Sequence, residues 1–200
     1  LLALDRDPSA LALARERLAA YPAAKTIHGN YGRLDEILAA EGIEKIDGLL
    51  IDAGVSSMQL DTAERGFSLQ NEGPLDMRMD AGEAVDAAAW LARTPQDEIA
   101  RTLRSYGDVQ PAGRIARAIV EARGANQLNT TADLVRAVSE ALNVRGKVPQ
   151  EAYTVFQAIR MAVNDELRWL ERGVEMGARY ARRGGRIVVI TFHSGEDRVV

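Results

Sequence analysis

Three apolar runs in the sequence end on polar side chains that could do chemistry. Asp5 closes the first run, Asp52 closes the second, and His193 and Ser194 follow the third. In a doubly wound α/β sheet, ligands bind outside the carboxyl ends of the strands. The position of these side chains at the ends of predicted strands therefore predicts that they belong to one ligand site.

The position of Asp5 favours binding of a ribose. An acid at the tip of the second strand of a nucleotide-binding fold commonly accepts hydrogen bonds from the ribose hydroxyls of an adenosine-containing cofactor. Asp5 could instead only cap the next helix, but Asp7 followed by Pro8 is a better start signal. The glycine-rich turn expected before Asp5 is not in the chain. Pattern alone therefore does not separate a dinucleotide from S-adenosylmethionine, and we expect poor cofactor binding by residues 1–200.

Polar and flexible loops follow the second run. Residues 52–61 directly follow a predicted strand, and residues 65–68 and 73–80 mix Gly, Phe, Pro, Met and paired charges without helical or strand period. Segments of the second kind tend to be shaped loops. Residues 52–61 could instead be an ordinary turn from a strand to a helix. A serine hydrolase is disfavoured because Gly54-Val55-Ser56-Ser57 lacks the second glycine of a nucleophile elbow.

Strands alternate with helices at both ends of the chain, which predicts an α/β fold with a parallel sheet covered on both faces. The predicted strands are 1–5, 25–28, 46–52 and 186–191, with helices from Pro8 and over 34–41. Between them, helical periodicity without strands covers 84–91, 95–106, 111–123 and 131–142, and one long helix presents an apolar face from Val155 to Val174. We predict a first domain part at 1–64, a helical insertion at 65–149 and a second domain part at 150–200.

Composition excludes several classes of protein. Hydrophobic residues make up 46% and charged residues 27% of the chain, and no run reaches the roughly 20 apolar residues of a membrane span. The absence of Cys excludes a disulfide scaffold and a Cys nucleophile, and two distant His residues argue against a metal site. A reducing cytoplasm fits this composition. The net charge of −4 makes any RNA binding local.

Arginines recur along the predicted insertion and could contact RNA. The alternative is that they only line a solvated helix face, paired with Asp108 and Glu121. The arginines concerned are Arg101, Arg104, Arg114, Arg117 and Arg123.

Eight segments together closely resemble the MraW type of methyltransferase, the family also called ribosomal RNA small subunit methyltransferase H. They are Leu4-Asp5-Arg6-Asp7-Pro8, Asp52-Ala53-Gly54-Val55-Ser56-Ser57, Gln59-Leu60-Asp61, Glu64-Arg65-Gly66-Phe67-Ser68, Gly73-Pro74-Leu75-Asp76-Met77-Arg78-Met79-Asp80, Phe156-Gln157-Ala158-Ile159-Arg160, Val163-Asn164-Asp165-Glu166-Leu167 and Phe192-His193-Ser194-Gly195-Glu196-Asp197-Arg198. The resemblance covers nearly the whole chain in the family's order. It implies a Rossmann-like S-adenosylmethionine-dependent domain interrupted by an all-helical substrate-recognition insertion.

The resemblance also implies a reaction, a partner and a set of site residues. The reaction is N4-methylation of a cytosine in the decoding region of 16S ribosomal RNA, on the RNA or the assembled small subunit. The cofactor contacts implied for S-adenosyl-L-methionine fall on Asp5, Tyr31, Asp52 and Gln59, with Asp52 also the catalytic candidate. We expect substrate contacts at Phe67, Arg78, Phe192, His193, Ser194 and Arg198, and Phe67, Phe192 or Tyr31 could stack the target base.

The chain departs from the family's pattern at several positions. Ala53 and Gly195 stand where the family usually has Leu, and residues 152–156 lack the family's Arg. The Asn/Asp-Pro-Pro-aromatic signature of amine methylation is replaced by Asp52-Ala53-Gly54-Val55. Two rival functions stay open at this point. One is a nicotinamide dehydrogenase, and the other is a non-catalytic RNA-binding or ribosome-assembly module on a decayed methyltransferase fold.

Overall fold

The computed structural model describes residues 1–200 as two compact units. Residues 1–54 and 165–200 form the first unit, and residues 55–164 form the second. The second unit is wider than the predicted insertion 65–149, because the helix over 150–164 packs against the helix over 96–107. None of the helices is both long and apolar enough to cross a membrane.

The first unit contains two separate parallel strand pairs. The strands are β1 (Leu2–Asp5), β2 (Lys25–His28), β3 (Ile46–Asp52) and β4 (Ala181–Ile190). In the first pair Asp5 lies opposite His28, and in the second Asp52 lies opposite Ile190. The four predicted strands and their parallel direction are confirmed, although β4 begins five residues before the start predicted for it at 186. The two pairs are not hydrogen-bonded to each other, so one continuous Rossmann-like sheet stays a prediction.

Ten helices complete the fold. They are α1 (Pro8–Leu18), α2 (Leu34–Ala40), α3 (Ser57–Asp61), α4 (Ala87–Arg93), α5 (Gln96–Gly107), α6 (Ala112–Gly124), α7 (Thr131–Leu142), α8 (Gln150–Asn164), α9 (Glu166–Tyr180) and α10 (Ser194–Asp197). As predicted, α1 begins with Asp7 as its cap, whose side chain accepts from the Ser9 N–H, and Pro8 occupies the first turn.

The predicted long helix over 155–174 is wrong, because the structure divides it into α8 and α9. Asp165 lies between the two helices with φ 53°, in the left-handed region. A left-handed residue does not continue a right-handed helix. Each of α8 and α9 buries an apolar side of its own, so the apolar pattern in the sequence runs through Asp165 and does not mark the break.

One face of the β3 and β4 pair is covered by α9 and the other is exposed. A Cβ on Gly177 of α9 would lie 2.5 Å from Leu49 Cδ2, so glycine permits close packing of the helix on the sheet. On the opposite face the side chains of Leu50 and Val188 are 64% and 50% exposed. The prediction that the sheet is covered on both faces is therefore wrong within this chain.

The second unit is helical and has its own core. Its helix α5 packs against α6 and α8, and α6 packs against α7. The four helices predicted from periodicity appear as α4, α5, α6 and α7, with bounds shifted by up to three residues at the start of α4. Fully buried side chains such as Leu103, Ile115, Leu134 and Ile159 form the core of this unit.

Candidate active site

The carboxyl ends of the strands in the first unit gather around Tyr31. Tyr31 begins the short 3-10 turn that follows β2, and its ring packs against the cluster of Ile51, Ala53 and Leu170. A Cβ on Gly173 of α9 would lie 2.6 Å from Tyr31 Cδ2. Glycine at this position of the helix therefore makes room for the ring.

The Tyr31 hydroxyl is largely buried and lies near negatively charged side chains. Burial raises its pKa to about 12, and the charges of Glu166 and Glu196 act in the same direction while Arg6 opposes them. Because Arg6 follows β1 and Glu196 lies in α10 after β4, the ends of both strand pairs contribute to the field at this phenol. Tyr31 is therefore held as a neutral phenol, able to donate a hydrogen bond.

We expect stability at alkaline pH to depend on Tyr31. The raised pKa means that the neutral phenol favours the fold, and this contribution is complete below pH 10 and is lost as pH rises toward about 12. The loss is about 2–3 kcal/mol. Measured by urea denaturation between pH 8 and about 11.5, a Tyr31→Phe variant should lose less stability than the unchanged chain.

The exposed Tyr21, at 64% exposure, gives the matched control for that experiment. The Tyr21→Phe variant should lose as much stability at alkaline pH as the wild-type protein does. An identical pH dependence for Tyr31→Phe and the unchanged chain would contradict the buried, neutral phenol.

Asp5 is held at the end of β1 in a partly buried position. Its Oδ1 accepts from the Asp7 N–H at 2.8 Å, and its backbone oxygen accepts from the Gly29 N–H at 2.9 Å. Burial raises the pKa of Asp5, while the Asp7 N–H acts to lower it. A desolvated carboxylate of this kind gains from further donors, and a pair of hydroxyls would supply them.

Asp52 stands at the end of β3, with an exposed side chain that makes no hydrogen bond or ion pair within the chain. The next residue continues the pairing, because the Ala53 N–H donates to Ile190 O at 3.0 Å. Gly54 then turns the chain with φ +88°, a conformation that favours glycine. The strand and the turn together place the exposed Asp52 carboxylate at the carboxyl end of β3.

The end of β4 is organised by a buried carboxylate, Glu196, which is 2% exposed. Its Oε2 accepts from the Phe192 N–H at 2.7 Å, and its Oε1 lies 3.2 Å from His193 Nε2. His193 Nδ1 accepts from the N–H groups of Gly195 and Glu196. Because Nδ1 accepts these two bonds, Nε2 is the ring nitrogen that faces Glu196.

The other predicted residues of this segment differ in exposure. Ser194 and Arg198 are exposed, and Phe192 is 69% exposed. Gly195 is buried, and a Cβ there would lie 3.0 Å from His193 Nδ1. The glycine therefore gives the His193 ring room in this chain. Both nitrogens of His193 face groups of the chain itself, and its substrate contact stays a prediction.

Three predicted site residues, Gln59, Phe67 and Arg78, belong to the second unit. Gln59 is buried, and its Oε1 accepts from the Ser56 N–H at 3.1 Å in a capping box that starts α3. The Phe67 ring is 5% exposed in the helical core. Arg78 donates to both carboxylate oxygens of Asp76 at 2.7 Å and to Glu83 O at 2.6 Å. These contacts organise the unit, and roles in binding stay predictions.

The loop over 73–80 is fixed by buried hydrogen bonds that sequence reasoning did not identify. Asn164, 1% exposed, donates from Nδ2 to Met77 O at 2.7 Å and accepts at Oδ1 from the Met79 N–H at 2.8 Å. Arg65 donates to the backbone oxygens of Arg78 and Met79. An amide side chain on an otherwise apolar helix face was the available signal for Asn164.

No group of three or more acidic or His side chains is arranged to hold a metal ion. The first unit instead has three carboxylates, a buried phenol and an exposed aromatic ring at or just after the ends of parallel strands. They belong to Asp5, Asp52, Glu196, Tyr31 and Phe192. This is a mixed α/β protein in which polar and aromatic side chains lie at the carboxyl ends of parallel strands.

Comparison with known proteins identifies the family. Residues 1–200 match the MraW methylase family, so the chain belongs to that family.

The chain is also similar to three proteins named ribosomal RNA small subunit methyltransferase H. It is 48% identical to the one from Methylococcus capsulatus, 45% to that of Methylobacterium nodulans and 43% to that of Bordetella petrii. The alignments cover 100% of this chain and 67%, 59% and 55% of those proteins. The chain therefore spans about half to two thirds of the length of these relatives.

Proposed function

We propose that this chain carries side chains that bind the cofactor and the substrate of an S-adenosylmethionine-dependent methyltransferase. Its substrate would be the N4 amine of a cytosine in the decoding region of 16S ribosomal RNA, and its place of action the cytoplasm. The observation that supports this most strongly is the pair of acids after parallel strands, Asp5 partly buried and Asp52 exposed, in a chain of the MraW methylase family.

The residues present fit S-adenosylmethionine. The desolvated Asp5 carboxylate has the chemistry to accept hydrogen bonds from both ribose hydroxyls, because the backbone N–H groups of Asp7 and Arg6 occupy only part of its acceptor capacity. Tyr31, Asp52 and Gln59 are the further cofactor contacts that we propose. When bound, the cofactor supplies an electrophilic methyl group.

Methyl transfer from a sulfonium is an in-line displacement, so the chain mainly has to align the amine and exclude water. The N4 lone pair of cytosine is delocalised into the ring. A carboxylate that accepts one N–H of the amine favours the geometry in which nitrogen can attack. Asp52 suits this role because it is exposed and has no partner within the chain. No covalent nucleophile is required.

The helical unit is the proposed RNA-recognition part. The five arginines considered for RNA contact fall into two groups, those with partners in the unit and those exposed on helices. Arg117 pairs with Glu121 at 2.8 Å, and Arg123 donates to the backbone oxygens of Leu91 and Thr94. Both arginines thus have contacts within the helical unit. Arg101, Arg104 and Arg114 are exposed on helices, and these three are the better candidates for phosphate contacts.

Cofactor titration of an Asp5→Ala variant tests the proposal. Loss of charge-assisted hydrogen bonds to the ribose should weaken S-adenosylmethionine binding about 10- to 150-fold. The experiment uses calorimetry on the protein extended to the length of its relatives.

The matched control is Glu44→Ala, an exposed acid before the amino end of β3. The Glu44 variant should keep the affinity of the unchanged protein. Equal affinity for the Asp5 and Glu44 variants would remove Asp5 from the cofactor site.

A further inference from the structure

One aromatic ring is exposed after the strands of the first unit. Phe192 follows β4 by two residues, and its side chain is 69% exposed. Beside it, Phe192 Cδ2 lies 3.5 Å from the position that a Cβ on Gly54 would take. Gly54 itself follows Asp52 by two residues. The ring therefore lies beside the loop that carries the proposed catalytic carboxylate.

The other two candidate rings do not offer a face in this way. Phe67 is 5% exposed in the core of the helical unit. Tyr31 packs against Ile51 and Leu170, and burial dominates its raised pKa. An unpaired base needs an accessible π-face to stack on. Among the three, Phe192 has that property.

Phe192 is also anchored through its backbone. Its N–H donates to Oε2 of Glu196 at 2.7 Å, and the same carboxylate lies 3.2 Å from His193 Nε2. The His193 ring is in turn fixed by two backbone N–H groups of α10. The buried Glu196 side chain, packed beside the fixed His193 ring, thus holds the backbone of an exposed apolar residue. Such anchoring lowers the entropy lost when a ligand stacks on the ring.

We propose that Phe192 is the surface on which the target cytosine stacks, and that Glu196 and His193 are positioning residues that hold it. This inference rests on the proposed function, because it names the contact that receives the base. In this proposal His193 helps to position Phe192, and the ring of Phe192 contacts the RNA.

A spectroscopic experiment tests stacking without requiring methyl transfer. A Phe192→Trp variant of the protein extended to the length of its relatives is titrated with a single-stranded RNA oligonucleotide containing unpaired cytosine. Stacking should quench its fluorescence beyond the change given by Trp90 and Trp169 in the unchanged protein. Tyr21→Trp, at an equally exposed aromatic position, is the matched control and should show no added quenching.

Kinetics test the same contact in the reaction. Phe192→Ala should raise KM for the RNA substrate about 5- to 150-fold, the range of base–aromatic stacking, with cofactor affinity changed less than about twofold. Phe192→Tyr should restore most of the affinity, because it restores the ring. Tyr21→Ala should leave KM unchanged.

The positioning role is tested by a double-mutant cycle. Glu196→Ala should raise KM in the unchanged protein, and this effect should disappear when Phe192 is already Ala. Glu196→Gln retains an acceptor for the Phe192 N–H and should recover part of the loss. An equal effect of Glu196→Ala in both backgrounds would show a general structural role and overturn the positioning assignment.

The failures of the two proposals are distinguishable. Quenching of Phe192→Trp by RNA in a protein that transfers no methyl group would support stacking and contradict the proposed reaction. Unchanged KM for Phe192→Ala in an active enzyme, or no added quenching for Phe192→Trp, would overturn the stacking inference.

Discussion

Replacing Asn164 with leucine is expected to lower the free energy of unfolding by about 3–5 kcal/mol. The change leaves the Met77 carbonyl and the Met79 N–H without their partner in a buried site. Each buried group without a partner costs about 1–3 kcal/mol. The loss should appear in urea denaturation, followed by Trp90 fluorescence in a Trp169→Phe background, because Trp90 lies in the same unit.

Two comparison variants sharpen this result. Asn71→Leu changes an exposed asparagine of the same unit and should alter stability by less than about 0.5 kcal/mol. Asn164→Asp should be nearly as harmful as Asn164→Leu, since a carboxylate oxygen would replace the donor that faces Met77 O. A loss below about 1 kcal/mol for Asn164→Leu would show that the buried hydrogen bonds do not fix the loop.

Replacing Asp52 with asparagine is expected to reduce turnover by about 100-fold or more, with a smaller effect on cofactor affinity. The amide keeps the shape of the side chain and removes the charge that favours one orientation of the amine. Turnover and cofactor affinity are measured on the same preparation of the protein extended to the length of its relatives.

Asp47→Asn is the matched control for Asp52→Asn, because Asp47 lies near the amino end of the same strand, where it pairs with Arg182. It should leave turnover unchanged. Equal falls in turnover and cofactor affinity for Asp52→Asn would show that Asp52 contacts the cofactor only.

Local signals in the sequence predicted the strands and the start of α1. The run ending at Asp52 is apolar enough to define β3 by itself, and Asp7 followed by Pro8 marks the first turn of α1. These features depend on neighbours in the sequence. They are therefore readable without knowledge of the fold.

Features that depend on distant contacts could not be predicted in the same way. The break at Asp165 interrupts an apolar pattern that runs through both α8 and α9. The exposed face with Leu50 and Val188 depends on which segments cover the sheet, and that is not a property of the strand sequences.

The sequence predicted which positions belong to the candidate site, but it did not predict which contacts their side chains make. Asp5 and Asp52 follow from strand ends, but the buried carboxylate of Glu196 was hidden within a charged segment. Arg78 illustrates the same limit, because its pairing with Asp76 appears only when the loop is folded. Sequence identifies the residue types at a site, and packing decides which of them face a ligand.

The most direct test of the proposed function is methyl transfer to assembled small ribosomal subunits. The protein extended to the length of its relatives is incubated with labelled S-adenosylmethionine and subunits that lack the modification, and the label is mapped in the RNA. The proposal predicts label on N4 of a single cytosine in the decoding region, strongly reduced by Asp52→Asn and retained by Asp47→Asn. Absence of transfer, or label at another position, would contradict it.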